Sequence, residues 1–259
     1  IIPKLNAAGR MGDAARAVKL LTTKNPYLAK EISSELLNEN DRRRLLTRKM
    51  EIEAISHVRS NNLDKKNIIV LSSSSWHDGI IGIVAAKIKE KYNKPTIVIS
   101  IDKEGLGKAS CRSIESINVV DALSYCKELL INFGGHPMAA GFTISESKID
   151  EFYKKIEEFL VIQNKNISES ILINIDCEVP LSEIESPRFM PFLNKLEPYG
   201  PGNEKPVFIS RQLIIVDPPQ ILGKEKNVIK YKVSQNEYEF VVIGFNMVDY
   251  YDKLSSGNV

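Results

Sequence analysis

The sequence predicts an α/β chain: a long N-terminal connector helix, an α/β domain on a mixed sheet, and a mostly β domain resembling a small barrel. Three observations predict it. Apolar residues recur at helical intervals from Pro26 to about Arg59, β-branched runs alternate with an amphipathic segment between 68 and 100, and strand-like runs dominate beyond about 170.

At the front, Asn6-Ala7-Ala8-Gly9-Arg10-Met11-Gly12 is small and glycine-rich and reads as a turn carrying a single Arg. Leu28, Ile32, Leu36, Leu46, Met50, Ala54 and Val58 then mark one helix, with a break expected near Asn38 to Asp41. On it lie Arg42-Arg43-Arg44, Arg48 and Lys49, either a solvated face or a stripe facing phosphate, with Arg44 and Arg48 the candidates for the latter. Ile68 to Leu71, Ile80 to Tyr92 and Thr96 to Ser100 form a βαβ unit, which requires a parallel strand pair. Gly105 to Arg112 is expected as turn and strand, Val119 to Leu130 as helix, Ala139 to Ile144 as strand and Lys148 to Leu160 as helix. Gln163 to Ser170 has linker composition. Strands are then expected at Ile171 to Ile175, Val207 to Val216, Val228 to Ser234 and Tyr238 to Phe245, with a short helix from Pro187 to Leu196. This run of strands suits a barrel or a sandwich, the oligonucleotide-binding barrel among them.

A chain of 259 residues has room for two modest domains. A net charge of +2 does not mark a nucleic-acid binder by itself, but its distribution is uneven. Residues 1–60 hold twelve Lys/Arg against seven Asp/Glu, and residues 146–186 four against ten. Cys111, Cys126 and Cys177 form no CxxC pair, which argues against a disulfide framework and fits a reducing cytoplasm. No apolar stretch reaches the ~20 residues of a membrane span, so no membrane partner is expected. The first residue is Ile1 rather than Met, and both ends read as cut.

Four segments carry chemistry. Gly134-Gly135-His136 is expected in a loop between helix and strand, where paired glycines bring backbone N–H groups and an imidazole to an anion. A helix cap beside an exposed histidine would look the same. Ser110-Cys111-Arg112 follows Gly107 and Lys108, and on a strand Ser110 and Arg112 share a face, a pattern suited to phosphate and equally to a polar edge strand. Trp76-His77-Asp78-Gly79 leads into a helix, with Asp78 or Ser75 expected as its cap. No metal ligand set is visible: there are three histidines and no HExxH.

Taken in order, LNAAGRMGDA (5–14), WHDGIIGIVAAKIKEKY (76–92), GKASCRS (107–113), FGGHPMAAG (133–141) and LEPYGPGNEKPVF (196–208) resemble the C-terminal half of the RecJ family. These are 5′→3′ exonucleases specific for single-stranded DNA within the DHH phosphoesterase superfamily. The resemblance implies a connector at 1–64, a DHHA1 domain at 65–162 and an oligonucleotide-binding-fold domain at 170–259. It implies two Mn²⁺ or Mg²⁺ ions held by a DHH domain whose motifs do not occur in this sequence, so the chain alone is expected to be inactive. Carried over residue by residue, Ser110 and Arg112 resemble the pocket for the 5′ phosphate, with Lys108 beside them and Arg10 as a third contact. His136, Gly134 and Gly135 resemble the group facing the scissile phosphate. Tyr199, Phe208, Tyr231, Tyr238 and Phe245 are candidate stacking residues, although barrel aromatics commonly serve the core. The implied partners are single-stranded DNA with a 5′ phosphate, the DHH domain in cis, and a helicase or single-strand-binding protein. Two alternatives remain open: a phosphodiesterase acting on short oligonucleotides or cyclic dinucleotides, and a noncatalytic binding or interaction module.

Overall fold

A computed structural model describes residues 1–163, 173–200, 202–223 and 226–255. The chain divides into two compact units, Ile1–Ile171 and Leu172–Val259. Three helices open the first: α1 (Ile2–Met11), α2 (Ala15–Thr22) and α3 (Pro26–Ser60). The segment expected as a turn is helical. Ala7 and Ala8 are fully buried, and Ala8 packs with Ile32 and Leu36 of α3, so a close tertiary contact overrides the weak propensity of Gly9. Asn25 caps α3, its Oδ1 accepting the N–H groups of Tyr27 and Leu28 at 3.0 and 3.3 Å, and Pro26 stands at the first helical position. The break expected near Asn38 to Asp41 does not occur. Asn40 is buried, and its Oδ1 accepts a hydrogen bond from Arg43 Nη2 at 3.1 Å within the helix. At 35 residues α3 is about 52 Å long. Its first half packs on α1, and its second half, through Met50, Ala54 and Val58, joins the α/β core.

That core is a five-stranded mixed sheet in the order β1-β2-β3-β5-β4. Its elements are β1 (Ile69–Ser73), α4 (Ile81–Tyr92), β2 (Thr96–Ile101), β3 (Leu106–Arg112), α5 (Val119–Tyr125), β4 (Leu130–His136), β5 (Ala139–Ser145) and α6 (Ile149–Ile162). β1 and β2 pair in parallel, as a βαβ unit requires, and the remaining pairs are antiparallel. On one face β1 and β2 are covered by α3 and α4 through Trp76, Ile81, Val84 and Val98. On the other, Ile97, Ile99, Ala109, Cys111, Ala140, Phe142 and Ile144 pack against Leu123 of α5 and Phe152, Ile156 and Leu160 of α6.

One boundary moves in a way that matters for the site. The helix expected to reach Leu130 ends at Tyr125, and a short 3-10 turn, Lys127–Leu129, buries Cys126 and Leu129. Leu130 to His136 is therefore a strand. Gly134-Gly135-His136 lies on the edge of the sheet and turns into β5 through Pro137 and Met138, instead of forming a loop after a helix.

The second unit contains β6 (Cys177–Glu178), α7 (Leu181–Glu185), α8 (Phe189–Asn194), β7 (Phe208–Ile209), β8 (Ile214–Leu222), β9 (Val228–Gln235), β10 (Tyr238–Phe245) and α9 (Tyr251–Ser255). β8, β9 and β10 form an antiparallel sheet, and β6 pairs with β7 in parallel. The strand expected at 171–175 is absent from its described part, 173–175; pairing begins at Cys177. The strand expected over 207–216 is interrupted, with Gln212 at φ 56° between β7 and β8. Gln235 ties the pieces together: its Oε1 accepts from the Leu181 N–H at 2.7 Å and its Nε2 donates to the Arg211 carbonyl at 2.8 Å. Of the expected linker, only Gln163 lies within the described residues. No helix among the described residues is long and apolar enough to cross a membrane.

Candidate nucleic-acid interface

Strand register sets which side chains share a face. Across β3, β5 and β4 the aligned positions are Arg112–Ala139–His136, Ser110–Gly141–Gly134 and Lys108–Thr143–Asn132. Their neighbours in sequence, Ala109, Cys111, Ala140, Phe142 and Ile144, are buried on the opposite face. The result is a polar shelf. Ala139 and Gly141 form a low floor, with Ser110 and Arg112 along one side and Gly134 and His136 along the other. Two strand spacings put these sides about 10 Å apart.

The Arg112 side is closed by the first turn of α4. Arg112 Nη1 donates to Ser110 Oγ at 3.1 Å and to the Cys111 carbonyl at 2.7 Å, which fixes the guanidinium beside the hydroxyl. A Cβ placed on Gly82 would stand 3.0 Å from both Arg112 Nη2 and Ser110 Oγ. One turn earlier, a Cβ on Gly79 would collide with the main-chain carbonyl of Arg10 at the end of α1. Gly79, just before α4, thus lets the Arg10 main chain pass close by, and Gly82, in its first turn, faces Ser110 and Arg112. α4 has no side-chain cap, and within its first turn the Ile83 N–H donates to the Ile80 carbonyl at 2.8 Å.

The expected caps are engaged elsewhere. Asp78 accepts a hydrogen bond from Lys108 Nζ at 3.0 Å, and Ser75 exchanges a hydrogen bond with Ser73. The bond from Lys108 is the chief reason that the Asp78 carboxyl titrates below its ordinary range, and the same bond raises the Lys108 ammonium. Lys108 therefore lies on the shelf but is held by a carboxylate. His77 Nδ1 accepts from the Gly79 N–H at 3.1 Å and lies 3.5 Å from Asp78 Oδ1.

Gly134 and Gly135 are glycine for different reasons. Gly135 has φ 150°, and a Cβ there would strike the Ala139–Ala140 backbone. At Gly134 an added Cβ would meet nothing within 4 Å, so this residue simply leaves the backbone bare to solvent. His136 beside them is exposed.

On α3, Arg44 and Arg48 are both exposed, whereas Arg43 is half-buried. Burial lowers the Arg43 pKa, and the charges of Arg10 and Arg44 lower it further. Arg10 and Arg44 thus each stand close enough to Arg43 to repel it. In the second unit Tyr199 donates to the Leu193 carbonyl at 2.8 Å, Phe208 packs on Phe189, and Tyr231 and Tyr238 are half-buried. Phe245 differs at 70 % exposure and shares an open face of β10 with Val241 and Ile243. Lys232 and Lys230 stand opposite those two residues on β9.

Sequence reasoning misses what Gly79 and Gly82 do. A signal is present, since two glycines at a helix start weaken it without serving any expected turn. Among the described residues no group of three or more His, Cys, Asp or Glu is arranged to hold a metal ion, so a divalent-metal centre does not fit the residues described here.

Residues 65–161 match the family model described as "DHHA1 domain", and residues 175–259 the one described as "RecJ OB domain". The chain is 33% identical over 251 residues to the single-stranded-DNA-specific exonuclease RecJ of Bacillus subtilis strain 168, covering 95% of this chain and 31% of that protein. Crystal structures of RecJ from Thermus thermophilus are also similar. The Mn²⁺ complex gives a TM-score of 0.75 at 27% identity, covering 93% of this chain and 34% of the other. The Mg²⁺ complex gives 0.74 at 27% identity, covering 92% and 36%. The chain therefore spans about a third of the length of the relatives it matches.

Proposed function

This chain belongs to the RecJ family and carries its DHHA1 and OB domains, and we propose that it supplies the DNA-holding half of a single-stranded-DNA exonuclease that cuts from the 5′ end. The carrying observation is the pairing of Ser110 and Arg112 against the first turn of α4, with the Arg10 main chain passing Gly79 just before it, at the side of a shelf floored by Ala139 and Gly141. A terminal phosphate seated there receives the Arg112 fork and the Ser110 hydroxyl, and Arg10 adds charge. The next phosphate runs across the small floor toward His136, whose ring N–H donates to an oxygen, while bare Gly134 lets the strand approach the backbone closely. The shelf fixes how far the end lies from the bond to be cut, which turns an end-binding pocket into an exonuclease register.

Hydrolysis itself is assigned to a DHH domain of the whole protein, where bound Mn²⁺ or Mg²⁺ would supply the activation of water. Arg44 and Arg48 on α3, and the Phe245 face of the second unit, supply further contacts to phosphates and bases.

Fluorescence anisotropy with 5′-phosphorylated and 5′-hydroxyl single strands tests the pocket. The phosphorylated strand is expected to bind more tightly. Arg112→Ala should remove most of that difference, a loss of about 2 kcal/mol or roughly 30-fold. Equal affinity for both ends in the unaltered chain sinks the reading.

A further inference from the structure

Glycine at position 82 is unexplained by the fold. It sits in the first turn of α4, where its φ is not in the left-handed region, and alanine would form the helix better. Neither a turn nor a backbone crossing requires it. The atoms that a Cβ would approach are the two side chains of the proposed phosphate pocket, Ser110 Oγ and Arg112 Nη2, both at 3.0 Å. Gly79 differs, because a Cβ there meets the Arg10 main chain and is excluded by packing alone.

Resting on the pocket reading above, we infer that Gly82 is a specificity-determining position. Its missing side chain is the room in which Ser110 and Arg112 close on a terminal phosphomonoester. A methyl group at 82 would wedge between the helix turn and the Arg112–Ser110 pair. Arg112 can give by the few tenths of an ångström needed at little cost, because Nη2 is the far end of a flexible side chain. A shift of a few tenths of an ångström misaligns the Nη1 bonds to Ser110 Oγ and the Cys111 carbonyl, so the fork no longer presents two donors squarely to one phosphate. The fold survives, and the preorganised geometry does not.

The test compares Gly82→Ala, Arg112→Ala and the double variant, each bound to the same 5′-phosphorylated and 5′-hydroxyl single strands, with thermal melting recorded alongside. Gly82→Ala is expected to melt no lower than the unaltered chain and to lose about tenfold of the preference for the phosphorylated end. In the Arg112→Ala background the same change should cost less than about twofold, because the group it acts through is gone. If Gly82→Ala keeps the full preference while Arg112→Ala loses it, the inference is overturned and the pocket stands. If Gly82→Ala costs about tenfold in both backgrounds, position 82 does not act through Arg112, which also overturns it. If the unaltered chain shows no preference, the pocket reading fails first. A Gly82→Ser variant guards against misfolding of the alanine form and is expected to show the same loss.

Discussion

At the scale of single residues, the shelf is held by a few short contacts whose removal has opposite signs. Asp78 neutralises Lys108 beside the proposed pocket. Asp78→Asn should release that cation and tighten binding of single strands by about threefold at low salt, an effect that fades as salt is raised. The pair also gives a pH signature. Asp78 has a depressed pKa, so its contribution to stability is present above the unfolded carboxyl value of 3.8 and is lost as pH falls through the lower folded value. Lys108→Ala should move the Asp78 midpoint, followed by NMR, upward toward 3.8. The paired glycines separate by the same logic. Gly135→Ala, with φ 150° and the Ala140 backbone in its path, should cost about 1–3 kcal/mol in chemical denaturation. Gly134→Ala should change stability by no more than about 0.5 kcal/mol while weakening DNA binding. Sequence singles out both glycines but does not distinguish them, because φ and the distance to a neighbouring strand belong to the fold.

At the scale of elements, α3 decides where the Arg10 end of α1 stands relative to the sheet. Leu36, 1 % exposed, is the main anchor between α1 and α3. Leu36→Ala should cost about 2–5 kcal/mol locally. Hydrogen exchange should show α1 losing protection while β2 and β5 keep theirs. This element was legible from apolar spacing alone. The expected break is not real, because Asn40 satisfies its side chain through Arg43 inside the helix. β4 is hidden in the sequence for a related reason. Leu129 and Leu130 extend the apolar period of the preceding helix, and glycines disguise a strand, yet the helix ends at Tyr125 and leaves Ile131 and Phe133 on an edge. Burial of the 3-10 turn also raises the Cys126 thiol to about 11, and Cys111 is driven up by complete burial. A thiol reagent at a pH of about 8 should therefore modify Cys177 alone in the native chain and all three cysteines in denaturant.

At the scale of the whole molecule, the proposed binding of DNA by a chain of net charge +2 would depend on where its charges sit. If Arg10, Arg112 and Arg44 each meet a phosphate, log affinity should fall against log salt with a slope of about −2. A slope near zero would show that these cations do not touch the backbone. The βαβ unit and the run of late strands were readable from periodicity, whereas the shelf was not, since no local pattern says that Arg112, Ala139 and His136 align across three strands. That alignment has a further consequence. Shifting β5 by one residue would send Gly141 toward α5 and α6 and expose Phe142 and Ile144, so a slipped sheet loses its core together with its shelf. Damaged molecules should therefore divide into sound and collapsed populations. A slip of β5 therefore leaves no half-built pocket behind to grip a DNA end weakly and in the wrong place.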